Sequence, residues 1–297
     1  MISVIIPVYN RKDDIIRCLD SIESQSCKDY EVIVIDDCSS DDIATATKRD
    51  KVKYIRNSVN SGPSLSRNIG VNASVGDILL FLDSDVELPE NVMLSIRDVL
   101  TSDETMGCFG GCGPLDSETG EPEYIKAKYY DRNGYNISKM LKKDSFTKEP
   151  IVYCDHFESA CLGIRRDVFL RTGGFDPYWF YIGEDRELCL KVRRMGFNCA
   201  VSWESAAIHH ENDLSKKIKP DFQLFCFLRY LEVAYKLDGI TGAVRWMNAN
   251  KRWKEAPFLK KLISMIINNK KIDWRRDADF LSASAIRRYT EERSIGV

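Results

Sequence analysis

Short acidic runs and a histidine doublet carry the clearest chemistry in the chain. Asp83-Ser84-Asp85 follows an apolar stretch. In an extended tripeptide side chains alternate, so both carboxylates face one way. Two hard oxygens so placed suit Mg2+ or Mn2+ bridged to a diphosphate; a solvated loop or a helix cap ahead of Pro89 is the plain alternative. Asp36-Asp37 can hydrogen-bond a nucleobase N–H or a ribose hydroxyl, or cap a helix. Arg67 lies near the positive end of a helix opened by Gly62-Pro63 and can hold phosphate, or be a surface arginine. Glu184-Asp185 begins a helix directly after the aromatic run 178–181. The helix dipole keeps a carboxylate ionised there, which is capping on its own and a general base if a sugar binds alongside. Only one of two adjacent helical residues can point into a site. One residue of His209-His210 can complete a metal shell, and His156, the third histidine, reads as core or surface.

The elements that must position these residues alternate. Apolar runs at 2–8, 31–35, 52–55 and 77–82 read as strands. Between them lie a helix capped by Asn10 with Ile15, Leu19 and Ile22 on its apolar face, another over 41–48, and one opened by Gly62-Pro63-Ser64; a further helix runs from Pro89 to near Leu100. This order predicts an α/β fold, a mostly parallel sheet flanked by helices, whose ligands bind at the carboxyl ends of the strands. Tyr9-Asn10, Asp36-Asp37 and Asp83-Ser84-Asp85 all sit at such ends and converge on one crevice. No G-x-G-x-x-G follows the first strand. Further on, 106–114 is Gly-rich and reads as a strand, 116–150 as a polar excursion over the site, and 165–171 and 184–195 as helices. After Asp213 the pattern becomes helical only.

With 297 residues, 44% of them hydrophobic, the chain buries a full core but makes no more than one or two domains. No run approaches the roughly 20 apolar residues of a membrane span, and no basic leader precedes the first strand, so neither a span nor a signal peptide is expected. The 10 cysteines include no Cys-x-x-Cys pair and read as buried thiols in a reducing compartment. Net charge is −2, which disfavours nucleic acid as a partner, but the charge is uneven. Residues 215–297 hold 18 Lys and Arg against 9 Asp and Glu, a surplus of nine positive charges on an otherwise acidic body.

The motifs Ser3-Val4-Ile5-Ile6-Pro7-Val8-Tyr9-Asn10, Asp36-Asp37-Cys38-Ser39, Arg67-Asn68, Phe81-Leu82-Asp83-Ser84-Asp85, Gly174-Phe175-Asp176 and Gly183-Glu184-Asp185 stand in an order and at a spacing that resemble glycosyltransferase family 2 over residues 1 to about 212. The resemblance implies a GT-A (Rossmann-like) fold and an inverting transferase. Such an enzyme moves a sugar from a UDP, dTDP or GDP donor to a hydroxyl acceptor, a glycan or a lipid-linked one, with Mn2+ or Mg2+. It implies that Pro7, Tyr9, Asp36, Asp37, Arg67, Asp83 and Ser84 bind the donor. It makes Asp83, Asp85 and His209 or His210 metal ligands, with Asp85 the direct one. Asp185 matches the general base, with Glu184 beside it. The expected organisation is a catalytic domain, 1–213, with a nucleotide-binding half (1–115) and an acceptor half (116–213), followed by a basic helical extension, 214–297. In the extension, an apolar helix at 222–237 packs on the catalytic domain or lies at an anionic membrane, where Trp246, Trp253 and Trp274 interleave with basic residues. The expected location is cytoplasmic, with possible peripheral contact at the inner membrane face; no oligomeric state is specified. The alternatives are a sugar-nucleotide nucleotidyltransferase, which would want a basic, Gly-rich loop after the first strand, and a non-catalytic nucleotide-sugar-binding protein.

Overall fold

The computed structural model describes residues 1–130, 136–177 and 183–210. The chain divides into two compact units, Met1–Tyr129 with Ile137–Asn212, and Tyr130–Asn136 with Asp213–Val297. The second lies almost wholly outside the described residues, and so do the expected tail helix, the three tail tryptophans and the aromatic run 178–181.

The first half runs β1 (Ile2–Val8), α1 (Lys12–Glu23), β2 (Tyr30–Asp36), α2 (Ile43–Ala46), β3 (Val52–Arg56), α3 (Pro63–Asn72), β4 (Ile78–Leu82), β5 (Val86–Glu87) and α4 (Val92–Ser102), the order the sequence predicts with the short strand β5 added. Strands β1 and β4 are apolar on both faces because both are covered. Val4 and Ile6 of β1 join the core under α1 and α4, with Ile15, Leu19 and Ile96. Ile5 joins the opposite core with Phe81, Phe169 and Leu188.

The second half supplies β6 (Met106–Gly110), β7 (Cys112–Pro114), β8 (Ile125–Tyr130), β9 (Asn136–Leu141), β10 (Val152–Cys154), β11 (Cys161–Arg165), α5 (Arg166–Thr172), α6 (Glu184–Arg194), β12 (Asn198–Val201) and β13 (Ala207–His209). An eight-stranded sheet has the order β10-β12-β6-β11-β4-β1-β2-β3, and β5-β13-β7 forms a small second sheet. β1, β2, β3 and β4 are mutually parallel, whereas β11 enters antiparallel between β4 and β6. At Gly110 a Cβ would lie 2.4 Å from the Cys161 carbonyl oxygen, so only glycine lets these two backbones approach.

Several expectations are corrected. Asn10 does not cap α1; it takes a positive φ of 52°, and its side-chain oxygen accepts from the Ser40 backbone N–H at 2.7 Å. The helix expected over 41–48 is the single turn α2, capped by Asp42. The stretch 116–150 is no plain loop: β8 and β9 pair in a two-stranded ribbon. Strand β10 has three residues, too few to leave a pattern, and β11 (Cys161–Arg165) is broken at its centre by Gly163. Among the described residues no helix is long and apolar enough to cross a membrane.

Candidate active site

Strand β4 delivers Asp83-Ser84-Asp85 to the crevice, but not as an extended tripeptide. The Asp83 N–H donates to the Ala160 carbonyl at 3.1 Å and the Val86 N–H to the Asp83 carbonyl at 3.2 Å, closing a turn with Ser84 buried inside it. The turn still gathers the two carboxylates: oxygens of Asp83 and Asp85 and a ring nitrogen of His209 lie within 4.8 Å of one another. Asp85 Oδ1 meets His209 Nε2 at 3.2 Å and its Oδ2 meets Arg11 at 3.0 Å. Burial works to raise the Asp85 pKa, but the hydrogen bond and charge of His209, with the charge of Arg11, bring it down to about 2. Burial equally opposes protonation of His209, and its bonds to Asp85 and Cys112 outweigh that and push it up to about 12. Two hard oxygens and one imidazole nitrogen fit Mn2+ or Mg2+.

The histidine doublet separates by register. His209 is the last residue of β13, and His210, one step on, points elsewhere: its ring pairs with Glu87 at 2.8 Å while its N–H donates to the Asp85 carbonyl at 2.9 Å. His210 thus braces the backbone of the turn, and His209 faces its carboxylates.

Arg67 is no surface arginine. It is 1% exposed, stacks on Phe175 at 5.3 Å, and reaches Asp83 at 2.6 Å and Glu184 at 3.2 Å. Its neighbour Asn68 brackets the Phe175 backbone, donating to the carbonyl at 2.7 Å and accepting from the N–H at 3.1 Å. One turn of α3 therefore ties the Asp83 carboxylate to the segment leading into α6. Gly183, with φ at 100°, turns the chain into that helix. Glu184 is thereby occupied, and Asp185 is the more exposed of the adjacent pair. Burial and the Glu184 charge raise the Asp185 pKa to about 7, with Lys128 pulling the other way.

Asp36 and Asp37 hold the opposite rim together. Asp36 is sealed from solvent; its carboxylate accepts from the Ser39 N–H at 2.8 Å, from the Tyr54 hydroxyl at 2.6 Å and from Arg56. It therefore supports the rim. Asp37 accepts from Asn57 and from the Ser61 N–H, both at 2.8 Å, and from the Gly62 N–H at 2.7 Å, fixing the loop that starts α3. Pro7 lies in β1 opposite Ile35, and Tyr9 follows the strand, partly buried.

Four residues near this centre escape sequence reasoning: Arg11, Cys112, Lys128 and Glu158. Lys128 donates to Glu158 at 3.0 Å. Burial would raise the Glu158 pKa, but the charges of Lys128 and Lys126 bring it down to about 2. The alternation Lys126-x-Lys128 was the available signal, since a period of two marks one face of a strand.

The model of glycosyl transferase family 2 matches residues 3–170. The chain is 40% identical over 220 residues to a poly(ribitol-phosphate) beta-glucosyltransferase of Bacillus spizizenii, covering 68% of this chain and 34% of that one. It is 30% identical over 150 residues to the GalNAc(5)-diNAcBac-PP-undecaprenol beta-1,3-glucosyltransferase of Campylobacter jejuni, covering 43% and 48%. An uncharacterized glycosyltransferase of Haemophilus influenzae is 43% identical over 86 residues, 29% of each chain. The match spans less than half the length of each of these relatives. Among solved structures, mannosyltransferase PcManGT of Pyrobaculum calidifontis, in complex with GDP-Man and Mn2+, superposes with a TM-score of 0.60 at 15% identity, over 96% of this chain and 86% of that one. S. aureus TarS 1-349 in complex with UDP-GlcNAc gives 0.57 at 18% identity, over 85% and 72%. These likenesses establish the fold as GT-A. With the family match running over more than half of its residues, the chain belongs to glycosyltransferase family 2.

Proposed function

We propose that the protein is an inverting transferase that moves a sugar from a nucleoside-diphosphate donor to a hydroxyl of a glycan or lipid-linked acceptor. The observation that carries this reading is one buried arginine that joins Asp83, of a two-carboxylate, one-histidine cluster, to Glu184, whose neighbour Asp185 has its pKa raised to about 7. A binding module has no use for such a base, and a nucleotidyltransferase would want a basic loop where Tyr9-Asn10 stands.

In this reading Asp83, Asp85 and His209 would hold Mn2+ or Mg2+, and His210 braces the turn. Such a cation, when bound, stabilises charge developing on the leaving diphosphate. The rim pinned by Asp36 and Asp37 shapes the nucleoside end of the crevice, with Pro7 and Tyr9 beside it and Ser84 in the turn. Arg67 holds the Glu184 carboxylate, and with it the start of α6, in place. Asp185 takes the proton from the acceptor hydroxyl as that oxygen attacks the anomeric carbon opposite the leaving group, so one displacement inverts the centre and no protein nucleophile is needed. The solved neighbours with UDP-GlcNAc and with GDP-Man and Mn2+ support this donor class, and the undecaprenol-linked relative supports a lipid-linked acceptor. The basic stretch 215–297 supports peripheral contact with anionic membrane, and with it a location at the cytoplasmic face.

The test is thermal stabilisation by UDP-, dTDP- and GDP-sugars with Mn2+ and with EDTA, on wild type and Asp85→Ala. A metal-dependent shift with one base, lost in the variant, supports the site. The absence of a shift with every donor would sink it.

A further inference from the structure

Next to the carboxylate cluster lies a second set of donors of different character. Cys112, Glu158 and His209 each offer an atom within 4.8 Å of the others. Their meeting follows from the small sheet. β13 runs parallel to β7 with Ala207 opposite Cys112, so His209, two residues on, lies on the same face as the thiol. Glu158 comes from the segment between β10 and β11. Its Oε1 takes Lys128 and Lys126, and its Oε2 turns to Cys112 Sγ at 3.7 Å. Cys112 is buried, while the Glu158 and His209 side chains keep 28% and 20% of their surface, enough for an ion to enter.

A thiol, an imidazole and a carboxylate are a poor set for Mg2+ or Mn2+ and a good one for Zn2+. A tetrahedral ion at about 2.0–2.3 Å from each donor separates the donors by roughly 3.3–3.8 Å, so a closure of about 1.5 Å at most suffices. We propose that Cys112, Glu158 and His209 form a thiolate-containing site for Zn2+ that shares His209 with the Asp83–Asp85 cluster. Binding releases the Cys112 proton to solvent and leaves one position for water. A neutral imidazole has one lone pair, so Zn2+ on His209 competes with a cation at Asp83 and Asp85 for it. This consequence rests on the functional reading above, whereas the site itself does not.

The experiment is a titration of the full chain with Co2+, followed by near-ultraviolet absorption and back-titration with Zn2+. The expected result is a thiolate-to-cobalt charge-transfer band that saturates at one equivalent, is displaced by Zn2+, and is absent in Cys112→Ser. If that variant fails to fold, Glu158→Gln serves instead, with Co2+ affinity reduced tenfold or more and the band retained. Absence of the band in wild type, its persistence in Cys112→Ser, or unchanged affinity in Glu158→Gln would each overturn the proposal. A second arm measures Mn2+-dependent nucleotide-sugar binding. If Mn2+ supports no binding while the cobalt band appears, the functional reading fails and the soft site stands.

Discussion

Arg67 and Glu184 are 117 positions apart in sequence, yet the guanidinium of one lies 3.2 Å from the carboxylate of the other in the protein interior. Through this contact α3, which follows the loop pinned by Asp37, is joined to α6, which opens on the candidate base.

Removing the arginine leaves Glu184 and Asp83 facing each other without a cation. Arg67→Gln should lower stability by about 3–5 kcal/mol, the cost of orphaning buried charge, and Arg67→Lys should recover only part of it. Urea unfolding followed by fluorescence measures both. A loss under about 1 kcal/mol would mean the pair is not buried as described.

Activity should fall by roughly tenfold per unit as pH drops below about 7, where Asp185 gains its proton, and Asp185→Asn should be inactive at every pH. Glu184→Gln removes a charge that raises the Asp185 pKa and should move the acid limb to lower pH. A pH–rate profile of each variant, with the matched donor, reads this directly.

The same carboxyl affects stability with a definite sign. Its folded pKa of about 7 lies above the roughly 3.9 of an unfolded aspartate. Between these values the folded state retains a proton that the unfolded state has lost, so stability falls as pH rises from about 4 to 7 and stays lowered above. Asp185→Asn should therefore be more stable than wild type at pH 8 and no more stable at pH 4, by melting temperature.

The two histidines should part company on metal. His209→Ala should weaken Mn2+ binding by tenfold or more, while His210→Ala should change it only by the smaller effect of a loosened turn. Free Mn2+ measured by electron paramagnetic resonance distinguishes them, and equal losses would argue against the register described.

Asn68→Ala removes both hydrogen bonds to the Phe175 backbone and should destabilise the chain by about 1–3 kcal/mol. It should also reduce turnover, because the segment leading to Glu184 and Asp185 loses its bracket. Calorimetry and initial rates together separate the two effects.

The strands of the nucleotide side were legible because each is an apolar run whose polar residues begin where the strand stops. The acidic motifs were legible for the same reason. The bracing of Asp36 was not legible because its partners Tyr54 and Arg56 come from β3, and nothing local in Asp36-Asp37-Cys38-Ser39 announces them. Asn10 looked like a cap, since its type is right and its positive φ is invisible in sequence. The assignment of His209 over His210 hangs on the register of a three-residue strand, too short to leave a pattern. Glu158 and Cys112 reach the centre only through tertiary pairing.

The placement of β11 has an implication for how the molecule is made. Its five residues, Cys161–Arg165, sit between β4 and β6, which precede them by fifty residues and more. Until residue 165 has left the ribosome, β4 and β6 each present an unpaired edge, and that edge invites pairing with other chains. A fragment ending at residue 115 would keep both edges open, so the two halves of the catalytic region are not separable modules. β11 joins β4 to β6 late, and the sheet is complete only when β12 (Asn198–Val201) has paired with β6.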